Sequence, residues 1–354
     1  MKHFLDLRVS EFKEWLTRHG QPCFRAGQVG HWVCNAPGVP FEQMSDIPKV
    51  LRNLLARDFY IWSMETVAHR TSPDGTEKLL LKTADGEHIE CVLLRDDKGN
   101  RTACISTQVG CAMGCVFCAS GLDGLVRNLT AGEIFEELLQ LRRLLGPDER
   151  LSHIVVMGMG EPLANLERLL QALNWATRRD GLRISARRVT ISTVGVPGGI
   201  RRLADRGAPY HLAVSLHAPN DELRSRIVPT NEKVGLRAIL EAADYYFEKT
   251  GRRVTYEYVL LADVNDRPSH AAALAELLRG RNALVNLIPF NPIQGLPYRT
   301  PHRGDVREFA SILDSAGVQV TIRHRKGDAI DAACGQLRRI RTEAVNHAIV
   351  QETA

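Results

Sequence analysis

The chain has 354 residues, 44% of them hydrophobic and 25% charged, with a formal net charge of +5. This composition fits a soluble globular protein with one large core and a smaller appendage. No run of about 18 uncharged apolar residues occurs, and the start Met1-Lys2-His3-Phe4-Leu5-Asp6 lacks the apolar core of a secretory signal, so the expectation is a cytoplasmic chain with no membrane partner.

In chain order, residues 1–65 read as short helices broken by Pro22, Pro37, Pro40 and Pro48, a small helical module ahead of the main body. Residues 66–98 read as a β-hairpin connector, with apolar segments at 79–82 and 88–94 joined through Ala84-Asp85-Gly86. The polar turn Asp96-Asp97-Lys98-Gly99-Asn100 then opens the main body, 99–354. There, apolar runs of strand length alternate with helical periodicity, which predicts strands at 103–107, 153–157, 188–192, 211–215, 254–260, 283–288 and 318–323.

Between these strands, Thr130 and Glu133 form a capping box opening a helix with Ile134, Leu138, Leu141 and Leu145 on one face. Val306, Phe309, Ala310 and Leu313 form a second apolar stripe before Gly317. Successive βα units around a mostly parallel sheet make an α/β fold. Six units are too few for a closed eightfold barrel, so the fold class is a partial, open β/α barrel with its active site at the C-terminal ends of the strands.

Eight cysteines, in a chain with a large core, point to metal or catalytic use rather than disulfides. Three lie within eight residues, as Cys111-x-x-x-Cys115-x-x-Cys118, directly after the first barrel strand. Three thiolates at this spacing can ligate one face of a cubane iron–sulfur cluster and leave the fourth iron open for a small molecule. The competing assignment is a structural zinc knuckle, whose pairs are usually spaced CxxC. Further strand ends carry residues that an aliphatic core does not need: Gly158, Gly160 and Glu161 after the second strand, Ser192 after the third, Ser215, Leu216 and His217 after the fourth, and Asn291 after the sixth. Glycines there let backbone approach a ligand, and Glu161 can pair with an ammonium group.

With Phe117 before its last cysteine, the cysteine motif resembles the defining pattern of the radical S-adenosylmethionine (SAM) superfamily, and 158–162 is similar to its SAM-binding glycine–glutamate motif. Phe24-Arg25-Ala26-Gly27-Gln28, 286–292 and 327–337 narrow the resemblance to the dual-specificity 23S rRNA and tRNA adenine C2-methyltransferases. That resemblance implies a [4Fe-4S] cluster on Cys111, Cys115 and Cys118, and two SAM molecules per turnover. It assigns SAM contacts to Gly160, Glu161, Ser192, Ser215, Leu216, His217 and Asn291. It makes Cys334 the methyl carrier, Cys104 the thiol that resolves the protein–RNA adduct by a disulfide to Cys334, and Glu90 the proton acceptor, although Cys91 follows where threonine is expected. Its implied partners are 23S rRNA, tRNA and a reducing protein such as flavodoxin, around a monomer. The alternatives are a related C8-methyltransferase that confers antibiotic resistance and a zinc-containing RNA-binding protein. Basic clusters at Arg187 and Arg188, Arg201 and Arg202, Arg252 and Arg253, 323–326 and 338–341 suit a phosphate-binding surface.

Overall fold

The four prolines cut the first 60 residues into pieces too short to be stable alone, so each helix depends on burying one face. In the computed structural model, which describes residues 1–323 and 326–337, these are α1 (Val9–Arg18), α2 (Arg25–Asn35) and α3 (Lys49–Asp58). The ends of the module meet where β1 (Lys2–His3) pairs in parallel with β2 (Phe59–Tyr60). His324, Arg325 and the basic run 338–341 lie outside the described residues.

Next come β3 (Glu65–Thr71), β4 (Glu77–Lys82) and β5 (His88–Arg95), an antiparallel meander of three strands where the sequence pattern predicts two. β3 escapes the pattern because it is a sheet edge with no fully buried residue, so no hydrophobic alternation marks it. β5 bonds antiparallel to β6 (Arg101–Cys104), which makes the meander part of the barrel sheet. The small hairpin of β7 (Gln108–Gly110) and β8 (Leu125–Asn128) then brackets the cysteine loop.

The remaining units follow as α4 (Ala131–Arg143), β9 (His153–Val156), α5 (Leu166–Thr177), β10 (Val189–Thr193), α6 (Pro197–Asp205) and β11 (His211–Ser215). After them come α7 (Asp221–Ile227), α8 (Asn231–Val234), α9 (Leu236–Thr250), β12 (Val254–Leu260), α10 (Pro268–Leu277), β13 (Ala283–Pro289), α11 (Arg303–Ser315) and β14 (Gln319–Ile322). The sheet order is β14-β13-β12-β11-β10-β9-β6-β5-β4-β3, with β6 and β9 to β14 parallel, and β14 does not pair back to β3. This is the open barrel expected from the βα alternation.

The first barrel strand differs from expectation, ending at Cys104 instead of 107. The cause is a side chain: Glu137 of α4, buried in the core, accepts the N–H of Ser106 at 2.9 Å and draws the chain out of the ladder. The predicted capping box is present, with Thr130 Oγ1 accepting from Glu133 N and Glu133 accepting from Thr130 N.

The N-terminal module shares the barrel's core, where Phe4, Phe12 and Leu16 are buried in continuity with Leu138 and Trp175. A polar knot fixes the docking. Buried Glu136 accepts from Ser63 N, Ser63 Oγ and Met64 N at 2.7–2.9 Å and lies 3.2 Å from His3 Nε2. A β-carbon at residue 132 would sit 2.4 Å from His3 Nδ1, which explains a glycine in the first turn of α4.

Candidate active site

Cys111, Cys115 and Cys118 lie on the loop between β7 and β8 and line one wall of a pocket at the C-terminal ends of the barrel strands. The loop is shaped by its backbone: Gly110 and Gly114 have positive φ, and a β-carbon at Gly110 would meet the Gly124 carbonyl oxygen at 2.0 Å. The described cysteines are all unbridged. Burial raises the Cys111 thiol to about 11 and pushes Cys115 and Cys118 above the usual range as well. Ligation of iron therefore has to displace a proton from each sulfur.

The facing wall is the 158–162 turn. Gly158 packs where a β-carbon would lie 2.7 Å from the Ile105 carbonyl, and Gly160, at φ +99°, lies against Gln108. Gln108 Oε1 accepts from Glu161 N at 2.8 Å. Both oxygens of the Glu161 carboxylate accept backbone N–H groups, from Leu163 at 2.9 Å and Val194 at 2.7 Å, so this side chain ties β9 to β10 as well as lining the pocket. Burial raises its pKa, and the two N–H donors oppose that rise.

Ser192, Ser215, His217 and Asn291 complete the pocket. Leu216 does not join them: its side chain is in the core, its N–H donates to the Glu257 carbonyl and its own carbonyl accepts from Arg224 Nε. His217 has a positive φ of 61°. Its Nδ1 accepts from Val259 N at 3.0 Å, and its ring meets Phe117 edge-on at 4.8 Å. Asn291 Nδ2 donates to the Cys334 carbonyl at 3.0 Å, while its buried Oδ1 has no hydrogen-bond partner.

Cys334 lies on a segment fastened from three sides. Asp74 Oδ2 accepts from Gly327 N and Lys78 Nζ donates to the Asp331 carbonyl; Ala119 N donates to the Gly335 carbonyl; Gln336 Nε2 donates to the Pro292 carbonyl. The thiol lines the cysteine-loop pocket and also an adjoining cavity of about 300 Å³, whose other walls include Cys104, Val92, Met157 and Arg323. Burial pushes Cys104 up to about 12, with the nearby Cys334 adding to the effect. Glu90 lines neither cavity. It pairs with Lys78 at 2.8 Å, both side chains being over nine-tenths buried.

Two family profiles match: the Radical SAM superfamily over residues 105–275, and the ribosomal RNA large subunit methyltransferase N-terminal domain over 2–61. A protein of Rhodopirellula baltica named "Probable dual-specificity RNA methyltransferase RlmN" is 56% identical over 96% of this chain and 92% of its own length. The chain belongs to the RlmN family. A protein of the same name from Clostridium perfringens is 45% identical over 96% of this chain and 97% of its own. A crystallised radical SAM methyltransferase from Sphaerobacter thermophilus superposes with a TM-score of 0.91 at 42% identity, covering 96% of this chain and 99% of that one. This is therefore an RNA methyltransferase of the radical SAM superfamily, a superfamily that implies a [4Fe-4S] cluster and SAM. The zinc RNA-binding alternative is set aside.

The RlmN-family site also contains residues that motif reading passed over. Arg323 was grouped with a surface basic run, yet it leaves β14 into both cavities, and its charge is held above the usual range first by Cys334 and then by Glu257. Glu257 lines the pocket and accepts from Asn286 at 2.8 Å. Arg224, 1% exposed, donates to the carbonyls of Val194, Ser215 and Leu216 and to Asn231 Oδ1, holding the ends of β10 and β11 from beneath. No local pattern marks these residues, which come from the interior of β12, from α7 and from the end of β14.

Burial, with Arg224 adding, lowers His217 to about 3, so the imidazole is neutral in the folded protein. An unfolded chain takes up this proton below about 6.5, whereas the native state resists down to about 3. The stabilisation is fully present above pH 6.5 and is lost as pH falls toward 3. A His217→Gln variant is expected to show a shallower loss of stability between pH 6.5 and 4 in urea denaturation. Parallel curves for the two proteins would disprove this account.

Proposed function

We propose that the chain methylates C2 of a specific adenine in 23S rRNA and of an adenine next to the tRNA anticodon, with Cys334 carrying the methyl group. The observation behind this reading is that one thiol, Cys334, lines both the pocket of the three cysteines and the cavity that holds Cys104. A methyl group taken up on that sulfur is exposed to chemistry from one side and to a target base from the other.

The site fits the implied cofactors. Cys111, Cys115 and Cys118 are soft unpaired ligands on one wall, and Asn291 Oδ1 is a buried acceptor open to a donor. Cys111, Cys115 and Cys118 would hold the cluster, which with SAM bound would supply one-electron reductive chemistry, the electron coming from a donor such as flavodoxin. Adenine C2 is electrophilic and does not attack a sulfonium methyl group, so polar transfer fails and a radical route is required.

The protein's own groups divide the remaining work. Once its thiol proton has passed to solvent, Cys334 sulfur would attack the methyl carbon of a first SAM: the new S–CH₃ bond forms, the methyl–sulfonium bond breaks, and S-adenosylhomocysteine leaves with that electron pair. Arg323 stabilises negative charge on that sulfur, and Asn291 and Gln336 hold its turn in place. A second SAM serves the radical step at this methyl group. Cys104 lines the same cavity: as its thiolate bonds to Cys334 sulfur, the Cys334 S–CH₂ bond breaks, the carbon keeps the electron pair and is protonated to the methyl group of the released RNA, and a thiol reductant returns the disulfide to two thiols. The resemblance assigns proton acceptance to Glu90, which pairs with Lys78 and lies outside the lining of both cavities.

Anaerobically reconstituted protein, a reductant, methyl-labelled SAM and either a 23S rRNA fragment or tRNA are expected to yield 2-methyladenosine, identified by mass spectrometry of the digested RNA. 8-Methyladenosine would overturn the C2 assignment, and no methylated base from a demonstrably clustered enzyme would overturn the reading altogether.

A further inference from the structure

Two of the basic pairs that the sequence offers as phosphate contacts fold to the end of the barrel opposite the active site. Side chains alternate along a strand, so His211, four residues before the pocket residue Ser215, faces the same lumen at its N-terminal end. His153 does likewise, four residues before Met157. Arg188 and Arg253, immediately before β10 and β12, lie close enough to the histidines there to act on them. Four residues of strand set this layer about 13 Å behind the pocket.

The layer is rich in uncompensated positive charge. Arg187, Arg188 and Arg253 are exposed, Arg252 is half-buried, and among the described residues none of the four makes an ion pair. Arg252 donates to His211 at 2.6 Å, and its Nε is buried with no hydrogen-bond partner among the described residues. The histidines register the field: burial and then Arg188 lower His153, while burial and then Arg252 and Arg253 lower His211. Asp96 acts on His153 in the opposite direction, and for His211 the opposing influence is a hydrogen bond to the Arg187 backbone. Elsewhere around this end the arginines are neutralised, Arg101 by Glu149 and Arg281 by Asp244.

Like charges held together against their repulsion, with a buried guanidinium N–H left open, form a site for an anion. β10 and β12 are separated by β11, so the arginines span about 10 Å of sheet, longer than the spacing of neighbouring phosphates on one nucleic-acid strand. We infer that this rear end of the barrel is a second RNA-contact surface, where Arg187, Arg188, Arg252 and Arg253 hold backbone phosphates of a large folded RNA whose target adenine is at the front mouth. The inference rests on RNA being the substrate. It implies that a ribosomal RNA domain reaches the surface and a minimal stem–loop does not.

The test compares full-length wild type with Arg188→Gln/Arg253→Gln, and with the charge-matched control Arg206→Gln/Arg237→Gln, whose arginines are exposed and already paired to Glu167 and Glu241. Binding of a 23S rRNA domain and of a minimal target stem–loop is followed by fluorescence anisotropy across a salt series. For the large RNA the rear variant should bind about tenfold more weakly at low salt, with a log–log salt slope smaller by about 1–2. The stem–loop and the control variant should be unaffected. Equal losses on both RNAs, an equal loss in the control, or no loss at all would each overturn the inference. Methylation of the stem–loop by wild type, run in parallel, reports separately on the proposed function.

Discussion

Cys334→Ala is expected to lower RNA methylation on the order of 10³-fold or more while leaving the iron content and visible absorbance of the reconstituted protein at wild-type level. A nucleophile that forms a covalent intermediate has no substitute once removed, and losses for such residues are large. The side chain contributes little to the fold, because the segment around it is held through backbone atoms: the Cys334 carbonyl by Asn291, the Gly335 carbonyl by Ala119 N, and the Pro292 carbonyl by Gln336. In wild type, label from methyl-labelled SAM should appear on the peptide containing Cys334 before any appears in RNA. Label reaching RNA at a normal rate in the alanine variant would show that the methyl group never passes through this sulfur.

The second large effect concerns stability. Lys78→Met removes one partner of buried Glu90 and the donor to the Asp331 carbonyl, and should destabilise the protein by about 2–4 kcal/mol. Weakening the compensation of a buried carboxylate is the main cost, so Lys78→Met/Glu90→Leu, which removes both charges, should recover part of it. Urea denaturation of both variants measures the difference. A loss below about 1 kcal/mol for the single variant would mean that the pair behaves as a solvated one.

That pair also shows where reading the sequence stops. Glu90 was singled out by resemblance, but nothing local to it names Lys78. The two are joined because β4 and β5 pair with Leu80 opposite Glu90 and Lys78 opposite Val92, a register set by which face of the sheet is buried. β3, with no buried alternation, left no trace in the hydrophobic pattern. The end of β6 was misplaced because a glutamate on α4 removes Ser106 from the ladder. The side chain of Leu216, between the pocket residues Ser215 and His217, packs in the core as strand alternation requires.

What the sequence determined by itself is what local chemistry encodes: the three-cysteine loop with its glycines, the turn at Gly158 and Gly160, the capping box at Thr130 and Glu133, and the βα alternation that becomes an open barrel. Each depends on residues within a few positions of one another, where spacing along the chain fixes spacing in space. The tertiary structure alone decided what distant segments do together. It set Cys334 between two cavities and opposite Cys104, brought Arg323 to that sulfur, placed Arg224 beneath two strand ends, and sent Arg188 and Arg253 to the end of the barrel away from the chemistry. Those placements follow from strand register and from how helices cover the sheet, which are settled by burial summed over the whole core and so are written in no single motif.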